Sequence, residues 1–130
     1  MSYAVDLHNQ VAQASVSDPL SIAASAASAN YVDLTTYEGN VKIVLSSANT
    51  AGTNPTLDCK LQHSDDHSTW GDVTGKTFTQ QTTALSKSLL SLGFNVRSVK
   101  RYVQLYYTIG GTASPAFTVS AVLLAQKNVQ

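Results

Sequence analysis

Histidine and aspartate side chains, which are residue types that bind divalent metal ions, cluster in one short stretch of the sequence. The cluster comprises His63, Asp65, Asp66, His67 and Asp72. His63 falls on a strand face that it shares with apolar side chains, whereas Asp65 and Asp66 fall in a turn. Aspartate is common in turns because its side chain accepts hydrogen bonds from nearby backbone N–H groups. We therefore interpret the cluster as a hairpin turn, and we expect no metal site and no cofactor.

Other residue patterns that catalysis requires are missing from the sequence. Serine is abundant, but no serine lies in the G-x-S-x-G pattern of a nucleophile elbow. Glu38 is the only glutamate, so the chain lacks the paired glutamates of many glycosidases. It also lacks a phosphate-binding loop and a dinucleotide-binding fingerprint. These observations predict a protein that binds other molecules and catalyses no reaction.

The single cysteine, Cys59, cannot form a disulfide within the chain. It lies between Leu57 and Leu61 on an alternating stretch, where a small hydrophobic side chain is expected to face the core. A reactive thiol would need an exposed, electropositive surrounding. We therefore interpret Cys59 as a buried structural residue.

Aromatic residues offer a second kind of candidate site. Trp70 could serve as a stacking platform for a sugar, although a place in the core or at its rim is the interpretation that we favour. Tyr102 and Tyr106 share the strand face opposite Val103 and Leu105. If that face is uncovered, it is a good protein-binding surface, because tyrosine is enriched at interfaces.

The low content of charged residues favours a protein that works inside an assembly. Charged residues make up 12% of the chain, about half the usual share, and Ser, Thr, Asn and Gln take their place. A surface of hydroxyls and amides loses its water at a lower free-energy cost than a surface of Lys and Glu. Interface cores are depleted in charge for the same reason.

Net charge argues against nucleic acid as a partner. The 130-residue chain has 8 basic and 8 acidic residues and a net charge of zero. Its densest basic stretch, Arg97, Lys100 and Arg101, is too small to follow a phosphate backbone. No apolar run approaches the roughly 20 residues that span a bilayer, and the N-terminus has no secretion signal. We expect no membrane partner, and synthesis in a host cytoplasm.

The first part of the chain predicts an arm followed by a domain. Residues 1–20 carry scattered apolar side chains without strict alternation and end near Asp18-Pro19, so they are predicted to form an extended or partly helical N-terminal arm. A short helix over residues 4–14 and an extended conformation are equally compatible with this segment. Residues 21–29, rich in Ala and Ser, suggest a strand or a flat linker.

Period-two alternation predicts strands from residue 31 onward. The predicted strands cover residues 31–37, 41–46, 57–63, 85–92, 101–109 and 117–125, with shorter ones near Val73 and Phe78. Turn-forming residues predict a turn at 38–40, a loop at 49–55, a turn at 93–98 and a hairpin loop at 110–115. About eight short antiparallel strands predict an all-β jelly roll or β-sandwich over residues 21–130.

Two segments resemble parts of small virion proteins of tailed phages. Residues 61–66 (LQHSDD) running into 69–75 (TWGDVTG) resemble a recurrent hairpin of these proteins, and residues 101–105 and 110–127 resemble their C-terminal end. Residues 33–45 fit the early strand pair of the family. His67 stands where a glycine would be expected, which affects the turn type but not the hairpin.

The resemblance implies a jelly-roll decoration, or cement, protein of a phage head. Such a protein lies on the outer surface of the capsid in the virion and stabilises the head by bridging neighbouring major capsid protein subunits. The resemblance also implies self-association, with a homodimer favoured and a trimer possible. It supplies no catalytic residues.

Two other functions are compatible with the sequence. One is a receptor-binding module of a tail or fibre that uses Trp70 or loop residues 49–56. The other is a carbohydrate-binding β-sandwich, which would need an exposed aromatic strip with Asp or Asn beside it.

Seven residues are the candidates for contact with the capsid or with another subunit. Four belong to the predicted arm, which could add a strand to a sheet edge on docking, and three are aromatic residues of the domain. They are Tyr3, Val5, Leu7, Val11, Trp70, Tyr102 and Tyr106.

Overall fold

The fold consists almost entirely of β-strands. A computed structural model describes residues 11–28, 30–82 and 87–127 of the chain. The strands are β1 (Val11–Ile22), β2 (Ala26–Ala27), β3 (Val32–Asp33), β4 (Tyr37–Ser64), β5 (Gly71–Thr77), β6 (Gln81–Thr82), β7 (Lys87–Asn95) and β8 (Tyr102–Lys127). Two short 3₁₀ turns, Leu34–Thr36 and Val96–Ser98, complete the described elements. Within these ranges no helix is long and apolar enough to cross a membrane.

The two longest strands, β4 and β8, form one antiparallel ribbon. Their pairing runs from Tyr37 opposite Lys127 to Ser64 opposite Tyr102. The first half of the ribbon comprises residues 37–51 of β4 and 116–127 of β8, and the second half comprises residues 53–64 and 102–112. In the first half, β1 pairs with β8 and β7 pairs with β4. In the second half, β2 and β3 pair with β8, while β5 and β6 pair with β4. Every strand of the sheet therefore pairs with β4 or β8.

Alternating residues on one face of both halves build a single hydrophobic core. β4 contributes Val41, Ile43 and Leu45 from the first half and Leu57, Cys59 and Leu61 from the second, all at most 3% exposed. β8 contributes Val103, Leu105, Tyr107, Phe117, Val119, Ala121, Leu123 and Ala125. The inward-facing residues of both halves belong to one buried cluster, to which Val16, Leu34, Phe78 and Phe94 also contribute, so the two halves pack against each other. This arrangement confirms the predicted all-β jelly roll or β-sandwich.

The predicted loop at 49–55 and the predicted hairpin loop at 110–115 are wrong in the same way. Neither segment reverses the chain, because β4 and β8 run through them and stay paired, with Ala51 opposite Ala116 and Thr53 opposite Thr112. Positive φ values at Gly52 (106°) and Gly111 (115°) accompany register shifts at this point. The turn-forming residues bend the ribbon between its two halves.

Other predicted boundaries also shift. The turn at 38–40 is instead a bulge inside β4, where Gly39 has a φ of 72° and the register shifts between Glu38 and Val41. The strand predicted over 31–37 is reduced to β3, because Asp33 accepts a hydrogen bond from the Thr35 backbone N–H and begins a 3₁₀ turn. In the predicted turn at 93–98, Gly93 still belongs to β7. The strand over 85–92 is observed from residue 87, and its earlier residues lie outside the described ranges.

The N-terminal segment differs from the predicted arm. Residues 11–20 belong to β1, which pairs with β8 and buries Val16 completely, so this stretch is an edge strand of the domain. Register shifts on both sides of Ser17 and the presence of Pro19 explain why it lacks strict alternation in the sequence. Residues 1–10 lie outside the described ranges, and so does most of the helix considered for residues 4–14.

Candidate functional site

Four aromatic rings come together at the end of the second half of the sandwich. Tyr31 directly precedes β3, His67 and Trp70 lie in the connection between β4 and β5, and Tyr102 begins β8. The pairing of Ser64 with Tyr102 brings that connection beside the start of β8. We call these four residues the aromatic end cluster.

The rings of the aromatic end cluster contact one another in defined geometries. Tyr31 stacks on His67 with ring centroids 4.9 Å apart and planes 6° from parallel. Tyr102 meets both rings edge-on, at 5.6 Å from Tyr31 and 4.9 Å from His67. Trp70 lies 6.2 Å from Tyr31 with the two planes inclined by 52°. Tyr31 nevertheless remains 47% exposed, so the cluster is open to solvent.

Asp66 holds the connection that carries His67 and Trp70. Its Oδ1 accepts hydrogen bonds from the backbone N–H groups of Ser68 (3.0 Å) and Thr69 (2.9 Å) and from the Ser64 hydroxyl (2.8 Å). These bonds, with that from Thr69 the strongest, lower the pKa of Asp66 to about 2. His67 has a φ of 47°, the left-handed conformation that the expected glycine would adopt. The interpretation of the aspartates as turn residues is confirmed for Asp66.

Charged side chains border the rings, and they are paired. Arg101 donates to both carboxylate oxygens of Asp33, at 3.1 and 2.9 Å, and its guanidinium lies 4.9 Å from the centre of the Tyr102 ring. The hydrogen bond from Arg101 lowers the pKa of Asp33 to about 2. Lys100 and Asp65 form a looser pair at 3.6 Å. The border of the cluster is therefore polar and close to neutral.

The histidine and aspartate side chains do not converge on a metal site. Asp72 pairs with Lys60 at 2.9 Å and with Gln62 at 3.1 Å, and His63 Nδ1 accepts a hydrogen bond from the Lys100 backbone N–H. Burial lowers the pKa of His63. Within the described ranges, no group of three His, Cys, Asp or Glu residues could hold a metal ion.

Cys59 is a core residue, as predicted. It is 3% exposed and unpaired, and burial raises the pKa of its thiol. A thiol that is kept protonated and covered is unsuited to nucleophilic chemistry.

A second candidate surface lies on the outer side of the first half of the sandwich. Val44 is opposite both Ser91 and Val122, Val122 is opposite Ser15, and the next row places Ser46 opposite Leu89 and Ser120. We call this surface the hydroxyl-rich face, comprising Ser15, Lys42, Val44, Ser46, Leu89, Ser91, Ser120, Val122 and Leu124. Lys42, opposite Leu124, is the one charged residue among these.

Apolar side chains on the hydroxyl-rich face are unusually exposed. Leu89 is 72% exposed and Val122 is 36% exposed, whereas most large hydrophobic residues of the chain are buried. Val11 lies at one edge of this face, because its pairing with Gln126 continues the rows of outward-facing residues along β1 and β8.

The structure brings together only some of the predicted contact residues. Trp70 and Tyr102 meet through Tyr31 in the aromatic end cluster. Tyr106 points to the same side of β8 as Tyr102 but lies apart from the cluster, with the Lys60 ammonium 5.5 Å from its ring centre. Val11 lies on the other half of the sandwich, and Tyr3, Val5 and Leu7 lie outside the described ranges.

Sequence reasoning missed Tyr31, and it considered His67 only as part of the His and Asp cluster, not as an aromatic contact residue. The signal for His67 was its place in a turn where a glycine was expected. Tyr31 gave no comparable signal, since its position beside the β4–β5 connection depends on the pairing of β3 with β8.

Comparison with solved structures finds several similar proteins. The VP2 subviral particle of infectious bursal disease virus is 12% identical in sequence, with a TM-score of 0.50 over 92% of this chain and 32% of that chain. VP2 of the Gx strain is 9% identical, with a TM-score of 0.46 over 88% of this chain and 31% of that chain. A CBM4 structure is 11% identical, with a TM-score of 0.44 over 92% of this chain and 70% of that chain.

The likeness to the VP2 subviral particle concerns the fold alone, and the chain spans about a third of the length of the VP2 chains. Comparison with curated proteins finds no significant match. A family comparison, by contrast, matches residues 16–123, which include nearly all of the described strands. The chain belongs to the Bbp16 family.

Proposed function

We propose that this protein is a non-enzymatic structural protein of a phage virion. In this proposal it binds the outer surface of the capsid and stabilises the head by bridging major capsid protein subunits. The hydroxyl-rich face is the observation that carries the proposal. The jelly-roll fold, which is also found in a viral capsid protein, and the resemblance of two segments to phage virion proteins support it.

The chemistry of the hydroxyl-rich face suits permanent contact with another protein. Serine hydroxyls and exposed Val122 and Leu89 give up water at low cost, and few charges need to be desolvated. Its four strands also present a continuous surface of paired backbone, which is rigid. A rigid surface loses little conformational entropy on binding.

Repetition on a lattice would strengthen such contacts. A protein that touches two capsid subunits at once gains affinity, because the second contact forms at a high effective concentration. Association of the protein with itself would add to this effect. We expect a homodimer, with a trimer as the alternative, and sedimentation analysis of the purified protein distinguishes them.

The N-terminal segment is proposed to extend this contact. Val11, the first residue of β1, lies at the edge of the hydroxyl-rich face. Tyr3, Val5 and Leu7 are therefore proposed to contact the capsid or a neighbouring copy next to that face. Removal of residues 1–10 should weaken binding to heads, and full affinity after this truncation would contradict the role of these residues.

Binding to purified, expanded phage heads that lack the protein tests the proposal. We expect the wild-type protein to bind the heads and to raise their melting temperature, since a ligand that binds only the folded assembly stabilises it. Val122→Lys places a charge in the hydroxyl-rich face and should weaken binding at least about tenfold.

Thr108→Lys is the matched control, because it adds the same charge at an exposed position on the outer side of the other half. It should bind as the wild type does. Failure of the wild type to bind heads would contradict the proposed function. Equal binding by wild type and Val122→Lys would contradict the use of this face.

A further inference from the structure

The aromatic end cluster is separate from the hydroxyl-rich face, because the two lie on different halves of the sandwich. Its four rings are supplied by three different segments of the chain. Tyr31 is one of the few large hydrophobic side chains among the described residues that are well exposed, at 47%. Tyr31 keeps this exposure although its ring also contacts His67, Trp70 and Tyr102.

We propose that the aromatic end cluster is a binding site for a neutral carbohydrate. Sugars present C–H groups on the faces of their rings and hydroxyls around the edges. The C–H groups pack on the electron-rich faces of aromatic rings, and the hydroxyls need polar partners nearby. Tyr31 and Trp70 supply the ring faces, and the side chains at the border supply donors and acceptors.

The composition of the border favours a sugar over an apolar protein segment. Arg101 lies over the Tyr102 ring and is paired with Asp33, and these two side chains offer a cationic donor and carboxylate acceptors beside the rings. A small-ligand site typically combines apolar surface with a few positioned polar groups in this way. An apolar anchor of a partner protein would instead desolvate these charges without replacing their hydrogen bonds.

The pairing of the charges favours a neutral ligand. Arg101 is engaged by both oxygens of Asp33, and Lys100 lies 3.6 Å from Asp65. An anionic ligand would have to compete with these carboxylates, and a cationic ligand would have to compete with the lysine and the arginine. Sugar hydroxyls can bond to either member of a pair without breaking it.

The site is held in place before a ligand arrives. Asp66 fixes the β4–β5 connection through three hydrogen bonds, and the Asp33–Arg101 pair ties the end of β3 to the residue that precedes β8. The ring contacts fix Tyr31 against His67 and Tyr102. Because little has to be ordered on binding, even weak stacking contacts contribute to affinity.

Trp70 is the only tryptophan of the chain, so its fluorescence reports on this site directly. The experiment titrates the full-length protein with neutral oligosaccharides built from glucose, galactose, mannose or N-acetylglucosamine. We expect at least one of them to change the Trp70 emission saturably, with a dissociation constant on the order of 1 mM or tighter. The absence of any saturable change up to about 20 mM would overturn the proposal.

Variants of Tyr31 test the stacking contact. Tyr31→Ala should weaken sugar binding at least about tenfold, whereas Tyr31→Phe, which keeps the ring, should stay within about threefold of wild type. Tyr106→Ala is the matched control, because it removes a tyrosine from the same side of β8 outside the cluster. Equal losses in Tyr31→Ala and Tyr106→Ala would overturn the proposal.

Head binding by the same variants separates this site from the proposed structural function. We expect Tyr31→Ala to bind heads as the wild type does. If no sugar binds and Tyr31→Ala loses head binding, the cluster is a protein contact and the carbohydrate proposal is wrong. If sugar binds but the wild type fails to bind heads, the carbohydrate proposal stands without the proposed function.

Discussion

Gly52 and Pro115 approach each other across the bend of the β4–β8 ribbon so closely that a side chain at Gly52 has no room. A Cβ atom built at Gly52 would lie 2.6 Å from Cα of Pro115, and Gly52 has a φ of 106°. Both the conformation and the contact require glycine. The bend between the two halves of the ribbon therefore requires a residue without a Cβ atom at position 52.

Gly52→Ala should destabilise the protein by about 2–4 kcal/mol, because it combines a strained φ with a clash against backbone. Chemical denaturation followed by tryptophan fluorescence measures the free energy of unfolding. Gly71→Ala is the control, since Gly71 is exposed and a Cβ there would meet nothing within 4 Å. It should change stability by less than about 1 kcal/mol, and equal effects of the two substitutions would contradict this account of the bend.

Leu61→Ala should destabilise the protein by about 2–5 kcal/mol, because Leu61 is fully buried between the two halves and its truncation leaves a cavity. Leu89→Ala makes the same chemical change at a residue that is 72% exposed, and it should shift the free energy of unfolding by less than about 0.5 kcal/mol. Thermal and denaturant unfolding of both variants checks the prediction. A large loss in Leu89→Ala would show that this side chain is covered in solution.

The Cys59 thiol should resist modification in the folded protein. It is buried, and burial raises its pKa, so both access and the reactive thiolate are lacking at neutral pH. Ellman's reagent should react with about one thiol per chain in guanidinium chloride and with almost none in buffer. Rapid reaction in buffer would mean that the core opens at this strand.

Acid should remove the stabilisation that the Asp33–Arg101 pair provides. The pKa of Asp33 is about 2 in the folded protein, below its value in the unfolded chain, so the contribution is complete above about pH 4 and disappears as the pH falls through 2. Asp33→Asn should therefore be less stable than wild type at pH 7 by up to about 1 kcal/mol, as expected for an exposed pair.

The difference between wild type and Asp33→Asn should close as the pH falls from 4 to 2. Melting temperatures of the two proteins across this range measure it. A gap that stays constant down to pH 2 would contradict this assignment, because a contribution of the ionised Asp33 carboxylate must be lost when the carboxylate is protonated.

Period-two alternation predicted the core-facing residues well where a strand runs straight. Leu57, Cys59 and Leu61 are all buried, and the separation of Tyr102 and Tyr106 from Val103 and Leu105 is observed. These segments carry their own signal, since one face of each strand is apolar and the other is polar. Charge and composition likewise indicated low-charge surfaces, and the hydroxyl-rich face is one of them.

The same local signals failed at the bend. Gly52 and Gly111 have positive φ values that serve equally to reverse a chain or to bend a strand. The choice depends on whether the two flanking segments pair with each other or with another strand. Here both β4 and β8 find their partner in each other, which no local pattern of residues reveals.

The aromatic end cluster was predicted only in pieces. Trp70 and Tyr102 were separate candidates, because their proximity depends on the register between β4 and β8. Tyr31 joins them through the pairing of β3, a strand of two residues. A contact among three segments that are distant in sequence depends on which strands pair, and the strand pairing cannot be read from local patterns in a single sequence.

The position of β8 in the ribbon has a consequence for synthesis on the ribosome. β8 is the last described strand along the chain, yet β1, β2, β3 and β4 all pair with it. β4 can pair earlier with β5, β6 and β7, whereas β1, β2 and β3 lack their partner strand until β8 has emerged. Ser64 and Tyr102 are much closer in sequence than Tyr37 and Lys127, so closing the loop between them costs less entropy. We therefore expect β4 and β8 to begin pairing at Ser64 and Tyr102 and to extend the pairing towards Tyr37 and Lys127.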